Sequence, residues 1–217
     1  MMKRLFFVCL LISGLHSVHA QRFAKEIAAF KSQDSVSFPA KKAILLTGSS
    51  SFRLWKDVQQ DFPGHSIVNR GFGGSTLPEM IRYAPDIIYP YHARQVVIYC
   101  GENDFADSNH LEPSVVAQRF FDLFRMIREN DRKVAIAYVS MKPSPSRQAL
   151  LPKYIAANAL IKEFLQDKKR TAYIDVYHAM LNPDGSIMAD LFLEDKLHMN
   201  RKGYVIWQKL IEPHLLK

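Results

Sequence analysis

Ile44-Leu45-Leu46-Thr47-Gly48-Ser49-Ser50-Ser51-Phe52 sets three consecutive hydroxyls directly after an apolar run. The run is apolar at successive positions, so both faces of a strand built from it need cover, as in a parallel sheet with helices on either side. Gly48 permits a sharp turn at the end of the strand, and a serine in such a turn can present its hydroxyl at the mouth of a sheet. Five short apolar, β-branched or aromatic runs recur along the chain, over 43–47, 65–69, 95–99, 133–139 and 172–176. The segments between them have helical spacing. In the clearest, Val116, Phe120, Leu123, Phe124 and Ile127 share one face, with Arg119, Asp122, Arg125 and Arg128 largely off it. Helices also fit 52–60, 76–83, 151–167 and 203–216. Strands alternating with helices point to parallel βαβ units, because parallel neighbours need a long crossover. The expected architecture is an α/β fold, a three-layer α/β/α sandwich, with ligands outside the carboxyl ends of the strands.

The chain has 217 residues, 48% hydrophobic and 23% charged, enough for one substantial core. Its start reads differently. Lys3 and Arg4, then LFFVCLLISGL, then Val18-His19-Ala20, have the form of a secretory signal, 1–20, cleaved after Ala20 to leave 21–217 as one domain. The apolar run is about half of the roughly 20 residues that span a bilayer, and Val8 before Cys9 disfavours a lipid anchor. The expected location is therefore secreted or periplasmic, without a stable membrane anchor. With Cys9 gone, Cys100 is the only cysteine and forms no internal disulfide; inside QVVIYCG it reads as a small buried hydrophobe. The formal charge of +8 falls to +6 without Lys3 and Arg4. A basic balance can attract polyanions, but the basic residues are scattered. The longest run, Lys168-Lys169-Arg170, reads as a solvated helix end, and no nucleic-acid partner is expected.

Four segments at strand ends or in later loops carry the chemistry. Gly48-Ser49-Ser50-Ser51 supplies hydroxyls, Asn69-Arg70-Gly71-Phe72-Gly73-Gly74-Ser75-Thr76 supplies bare backbone N–H groups, Gly101-Glu102-Asn103-Asp104 supplies an amide, and Asp195-Lys196-Leu197-His198 supplies a carboxylate and an imidazole. These are the parts that acyl transfer needs. A serine hydroxyl attacks only when a histidine takes its proton and a carboxylate holds the imidazole. The developing oxyanion needs preorganised donors, each worth about 3–4 kcal/mol of transition-state stabilisation.

In these four blocks, and in their order, the sequence resembles the GDSL or SGNH hydrolases, a family of esterases, lipases, thioesterases and carbohydrate deacetylases. The resemblance implies a flavodoxin-like sheet of five parallel strands and no cofactor or metal. It places the nucleophile at Ser50, the oxyanion hole at Ser50 N–H, Gly74 N–H and the Asn103 amide, and the orienting acid and base at Asp195 and His198. Two departures stand out. Ser49 replaces the aspartate of the family's Gly-Asp-Ser, so a hydroxyl or another group must do that carboxylate's work. Gly71 and Gly73 compete with Gly74, which is favoured by its place before Ser75-Thr76.

Other residues have plainer readings. Glu102 and Asp104 flank a neutral amide and do not read as a metal pair; Asp104 is expected to accept backbone hydrogen bonds in its loop. His65, His92, His110, His178 and His214 read as structural or exposed, without a carboxylate at a recognisable spacing. Arg53 and Trp55 either line the pocket or serve as surface cation and core aromatic. Tyr89-Pro90-Tyr91-His92 is a candidate substrate-side loop, and 141–147, rich in proline, is either a pocket wall or a connector. The expected activity is hydrolysis of a small-molecule or glycan ester with a short acyl group. An acyltransferase with the same triad and a catalytically silent carbohydrate-binding protein are the alternatives.

Overall fold

Five parallel strands form one sheet in the order β2-β1-β3-β4-β5: β1 Ile44–Gly48, β2 Ile67–Gly71, β3 Gln95–Tyr99, β4 Ala135–Val139 and β5 Thr171–Ile174. The computed structural model describes residues 22–217, so the expected leader, 1–20, lies outside the described residues. Strand order 2-1-3-4-5 is that of the flavodoxin-like sheet, whose direction of winding reverses between β1 and β3. Gly48 pairs in register with both Gly71 and Tyr99, which brings the carboxyl ends of β1, β2 and β3 level.

Successive strand residues point to opposite faces, and this alternation divides the core. On one face Leu45, Val96, Ile98, Ile136 and Tyr138 pack beneath α1 Ala24–Val36, α4 Leu77–Ile87, α6 Pro113–Asn130 and α7 Leu151–Gln166. On the other, Ile44, Leu46, Val97, Tyr99, Ala137 and Val139 meet the short α2 Ser50–Arg53 and α3 Val58–Asp61, together with α8 Arg201–Ile211. The remaining helix, α5 Glu102–Asp107, begins two residues beyond Cys100, at the end of β3.

The structure departs from the sequence expectation in several places. The helix expected over 52–60 is two single turns. Trp55 N–H bonds back to Phe52 O, the chain tightens, and the Trp55 ring drops into the core against Phe62, Tyr204 and Trp207. Its Nε1 donates to Asp61 Oδ2 at 2.6 Å, and the Arg201 guanidinium, the main cause, holds the Asp61 carboxyl below its ordinary range. α4 runs past Pro85 to Ile87 from a Thr76–Glu79 capping box. The last helix ends at Ile211 and tightens into a 3₁₀ turn through Pro213, which cannot donate to a helix. α1 was not anticipated; Ile27 is its only fully buried residue, so it carries no apolar stripe. The 89–92 segment is not on the substrate side. It closes the helix that returns to the amino edge of the sheet, and Tyr91 is buried, donating to Asp34 and accepting from Arg70 Nε.

A buried ion pair ties the loops after β3 and β4. Lys142 Nζ lies 3.0 and 3.1 Å from the two Glu102 carboxylate oxygens, and Tyr99 Oη donates to Glu102 Oε2 at 2.7 Å. Lys142 is wholly buried and Glu102 nearly so. Removing one partner strands a charge in the interior, whereas removing both does not. Lys142→Met is expected to cost about 3–5 kcal/mol in urea unfolding, and Lys142→Met with Glu102→Gln distinctly less. A double variant as unstable as the single one would show that the stranded charge is not the cause.

Candidate active site

The site grows from the turn after β1. Gly48 has φ +133°, and a Cβ there would lie 2.0 Å from Tyr99 O. The glycine lets Ser49 N–H donate to that same oxygen at 2.9 Å. Ser50 then opens α2, where first-turn N–H groups have no helical acceptor. The three serines are not equivalent. Ser49 and Ser51 are buried, and Ser51 packs under Tyr204, whose hydroxyl donates to Ser51 O at 2.9 Å. Ser50 alone meets the imidazole.

His198 Nε2 lies 3.0 Å from Ser50 Oγ, and His198 Nδ1 lies 2.6 Å from Asp195 Oδ2. Asp195 Oδ1 also accepts the Leu197 and His198 backbone N–H groups, each at 2.9 Å. Burial pushes the Asp195 carboxyl up, but these bonds and the imidazole outweigh it and bring it down to about 2. An ionised carboxylate only accepts, so Nδ1 carries the proton and Nε2 offers its lone pair to the Ser50 hydroxyl. Lys196, between acid and base, has a left-handed backbone (φ +54°), and its carbonyl accepts Ser146 N–H at 3.0 Å. The 141–147 loop therefore braces the Asp195–His198 turn, and Lys142, Pro143 and Ser144 within it are buried. Asn200 caps α8 directly behind, its side chain accepting Lys202 N–H.

Of the three competing glycines, two have occupied N–H groups. Gly71 donates to Asn69 Oδ1 at 2.9 Å and Gly73 to Glu26 Oε1 at 3.3 Å. Gly74, at φ +73°, has no acceptor for its N–H among the described residues. Asn103 Nδ2 donates to Ser75 O at 3.0 Å and to Ser49 Oγ at 3.1 Å. The hydroxyl that replaces the motif's aspartate is thus one of the two acceptors that hold the amide in place. Asp104 accepts Leu77 N–H and pairs with Arg119, fixing the start of α4. Burial raises its carboxyl while these two contacts oppose the rise. Glu102 belongs to Lys142.

Sequence reasoning missed Arg22 and Glu26. Arg22 Nη2 donates to Gly74 O at 3.4 Å and Nη1 to Asp107 at 2.7 Å, while Glu26 holds Gly73 N–H and pairs with Arg53. The helix that carries Glu26, with Arg22 two residues ahead of it, has no periodic signal. Arg53 lines a cleft of about 380 Å3 between α1 and the α2–α3 turn, with Glu26, Phe30, Lys56 and Asn69; Trp55, at its base, is a core residue. Cys100 is buried, its thiol donating to Ser75 O, and burial pushes it up.

Contrary to the sequence expectation, His178 does have a carboxylate, at the same spacing as Asp195–His198: His178 Nδ1 lies 2.7 Å from Asp175 Oδ2, and Asp175 Oδ1 accepts His178 N–H. This second Asp-x-x-His is exposed, and its Nε2 meets no serine among the described residues.

The profile of the GDSL-like Lipase/Acylhydrolase family matches residues 35–206, which leaves Arg22 and Glu26 ahead of the match. No curated protein matches the chain. Among solved structures, it is similar to a Streptococcus pneumonia protein named for platelet activating factor, with 17% identity, 91% of this chain and 94% of that chain covered, and a TM-score of 0.79. A GDSL-like lipase from Bacteroides thetaiotaomicron follows at 19% identity, 89% and 95% coverage and TM-score 0.69. A carbohydrate esterase family 3 protein from Talaromyces cellulolyticus has 16% identity, 78% and 94% coverage and TM-score 0.64. At these identities the structures speak to the fold, whereas the profile spans most of the sequence. The chain belongs to the GDSL-like lipase/acylhydrolase family.

Proposed function

We propose that the protein is a secreted serine esterase that cleaves short acyl esters, with acetyl on a saccharide as the favoured class. The observation that carries this reading is the continuous chain from Ser50 Oγ through His198 to Asp195, with the Asn103 amide bonded to the adjacent Ser49. The name of the carbohydrate esterase neighbour agrees with the sugar ester. Secretion rests on the leader-like sequence of 1–20.

His198 Nε2 takes the Ser50 proton as Oγ attacks the acyl carbon. The carbonyl oxygen becomes an oxyanion held by Ser50 N–H, Gly74 N–H and Asn103 Nδ2. Because both Asn103 N–H bonds are used at rest, the oxyanion competes with Ser49 Oγ or Ser75 O for one of them. Collapse expels the alcohol, which leaves with the proton from His198. Water, deprotonated by His198, attacks the acyl-enzyme and releases the acid and Ser50. Asp195 orients the imidazole and offsets its transient charge.

Three measurements test this scheme. A fluorophosphonate probe should label the protein on Ser50 by peptide mass mapping, and Ser50→Ala should lose the label and at least about 10³-fold in kcat; an adduct on Ser49 or Ser51 would overturn the assignment. In the pH profile, protonating the base removes activity, so kcat/KM on an aryl acetate falls as pH drops. Asp195, held near 2, stays charged throughout, so a single acid limb is expected down to about pH 4; a flat profile would point to another base. Finally, Glu26→Gln with Arg22→Ala loosens the oxyanion loop without touching substrate. It should lower kcat roughly 3–10-fold with KM little changed, less than the 10²–10³ of deleting a donor.

A further inference from the structure

We propose a second binding site, for a phosphate-bearing ligand, at the amino edge of the sheet, opposite the serine. The basic residues that are scattered in the sequence converge there. Lys42 stands two residues before β1, Arg94 immediately before β3, Lys133 two residues before β4 and Arg170 immediately before β5. With Lys41, His92 and Asp131 they line one cavity of about 450 Å3. Four neighbouring strands thus each deliver a cation to the same mouth.

Three observations separate this cluster from an ordinary solvated face. First, none of the Lys41, Lys42, Arg94, Lys133 and Arg170 side chains reaches a carboxylate, carbonyl or aromatic ring among the described residues. Elsewhere Arg22, Arg70, Arg119 and Arg201 each hold a carboxylate. The cavity's one carboxylate, Asp131, is bound by the Lys133 backbone N–H. Second, Arg94 Nε is buried without an acceptor, an unmet donor in the cavity wall. Third, Lys42, His92 and Arg170 have left-handed backbones, at φ +60°, +44° and +58°, and the remaining such non-glycine residue among the described residues, Lys196, lies in the Asp195–His198 turn. Non-glycine residues held in this region cost free energy and gather at functional sites. Crowding of like charge extends inward: burial and then the Arg170 charge lower the nearby Arg128 guanidinium.

The chemistry of the lining selects the ligand. Ammonium and guanidinium groups on several sides favour a compact anion with two or more charged oxygens, and guanidinium forks match phosphate geometry. The volume suits a phosphorylated sugar or headgroup. The phosphate can come free in solution or on a lipid surface, and the two sources are separable.

Calorimetric titration of the full secreted chain with inorganic pyrophosphate should show saturable binding that weakens with salt. Lys133→Glu with Arg170→Glu should weaken it roughly tenfold or more. Lys41→Glu with Lys42→Glu, at exposed side chains without contacts, repeats the test should the first pair fold poorly. Ser50→Ala should bind as the parent does, which separates this site from the acyl site. Phosphatidylglycerol vesicles that sediment the protein and release it to pyrophosphate would identify the lipid source; vesicles without effect would leave the free source. No pyrophosphate binding by the parent, or binding that survives both charge reversals, would overturn the proposal.

Discussion

A side chain at position 48 would collide with the Tyr99 carbonyl, and that steric fact governs the whole catalytic edge. Because Gly48 has none, β1 and β3 stay paired to their last residue, and Ser49 N–H takes the carbonyl that a Cβ would have struck. The turn that follows has little freedom left. It points Ser50 outward at the reversal between β1 and β3, with Asn103 arriving on the neighbouring strand end. The position of Ser50 relative to the end of β3 rests on that one close approach between two backbones.

The elements legible in the sequence were those with a periodic or motif signal. Strands β1 and β3, apolar on both faces, and α6, with its stripe from Val116 to Ile127, lie where the pattern put them. The residues of the four blocks come together as their order implied. What escaped had a nonlocal cause. The break between α2 and α3 follows from the Trp55 ring seeking the core, a demand that neighbouring residues do not display. Glu26 of α1 and Arg22 just ahead of the helix attach to a loop about fifty residues away, and polar contacts of that kind leave no hydrophobic period. The cation cavity is invisible for the same reason: its members are separated along the chain and meet only because parallel strands start side by side.

The two edges of the sheet solve opposite electrostatic problems. At the carboxyl edge two carboxylates are paired with cations, Glu102 with Lys142 and Asp104 with Arg119, and a third, Asp195, is met by the neutral His198 imidazole and two backbone N–H groups. The donors beside these pairs, N–H groups and an amide, are neutral, the kind of group suited to stabilising charge that develops only during a reaction. At the amino edge the cations remain uncompensated, an arrangement with a standing field rather than an induced one.

The duplicate Asp175–His178 pair shows what a four-residue motif does not contain. Both pairs close the same short-range contact, yet only one faces a hydroxyl, across 148 residues of chain. The Asp195–His198 contact is local, three residues apart, and by itself brings no serine to the imidazole. Contact between Ser50 and His198 is therefore a marker of completed assembly: it joins residues 148 apart, whereas Asp195 meets His198 within one turn.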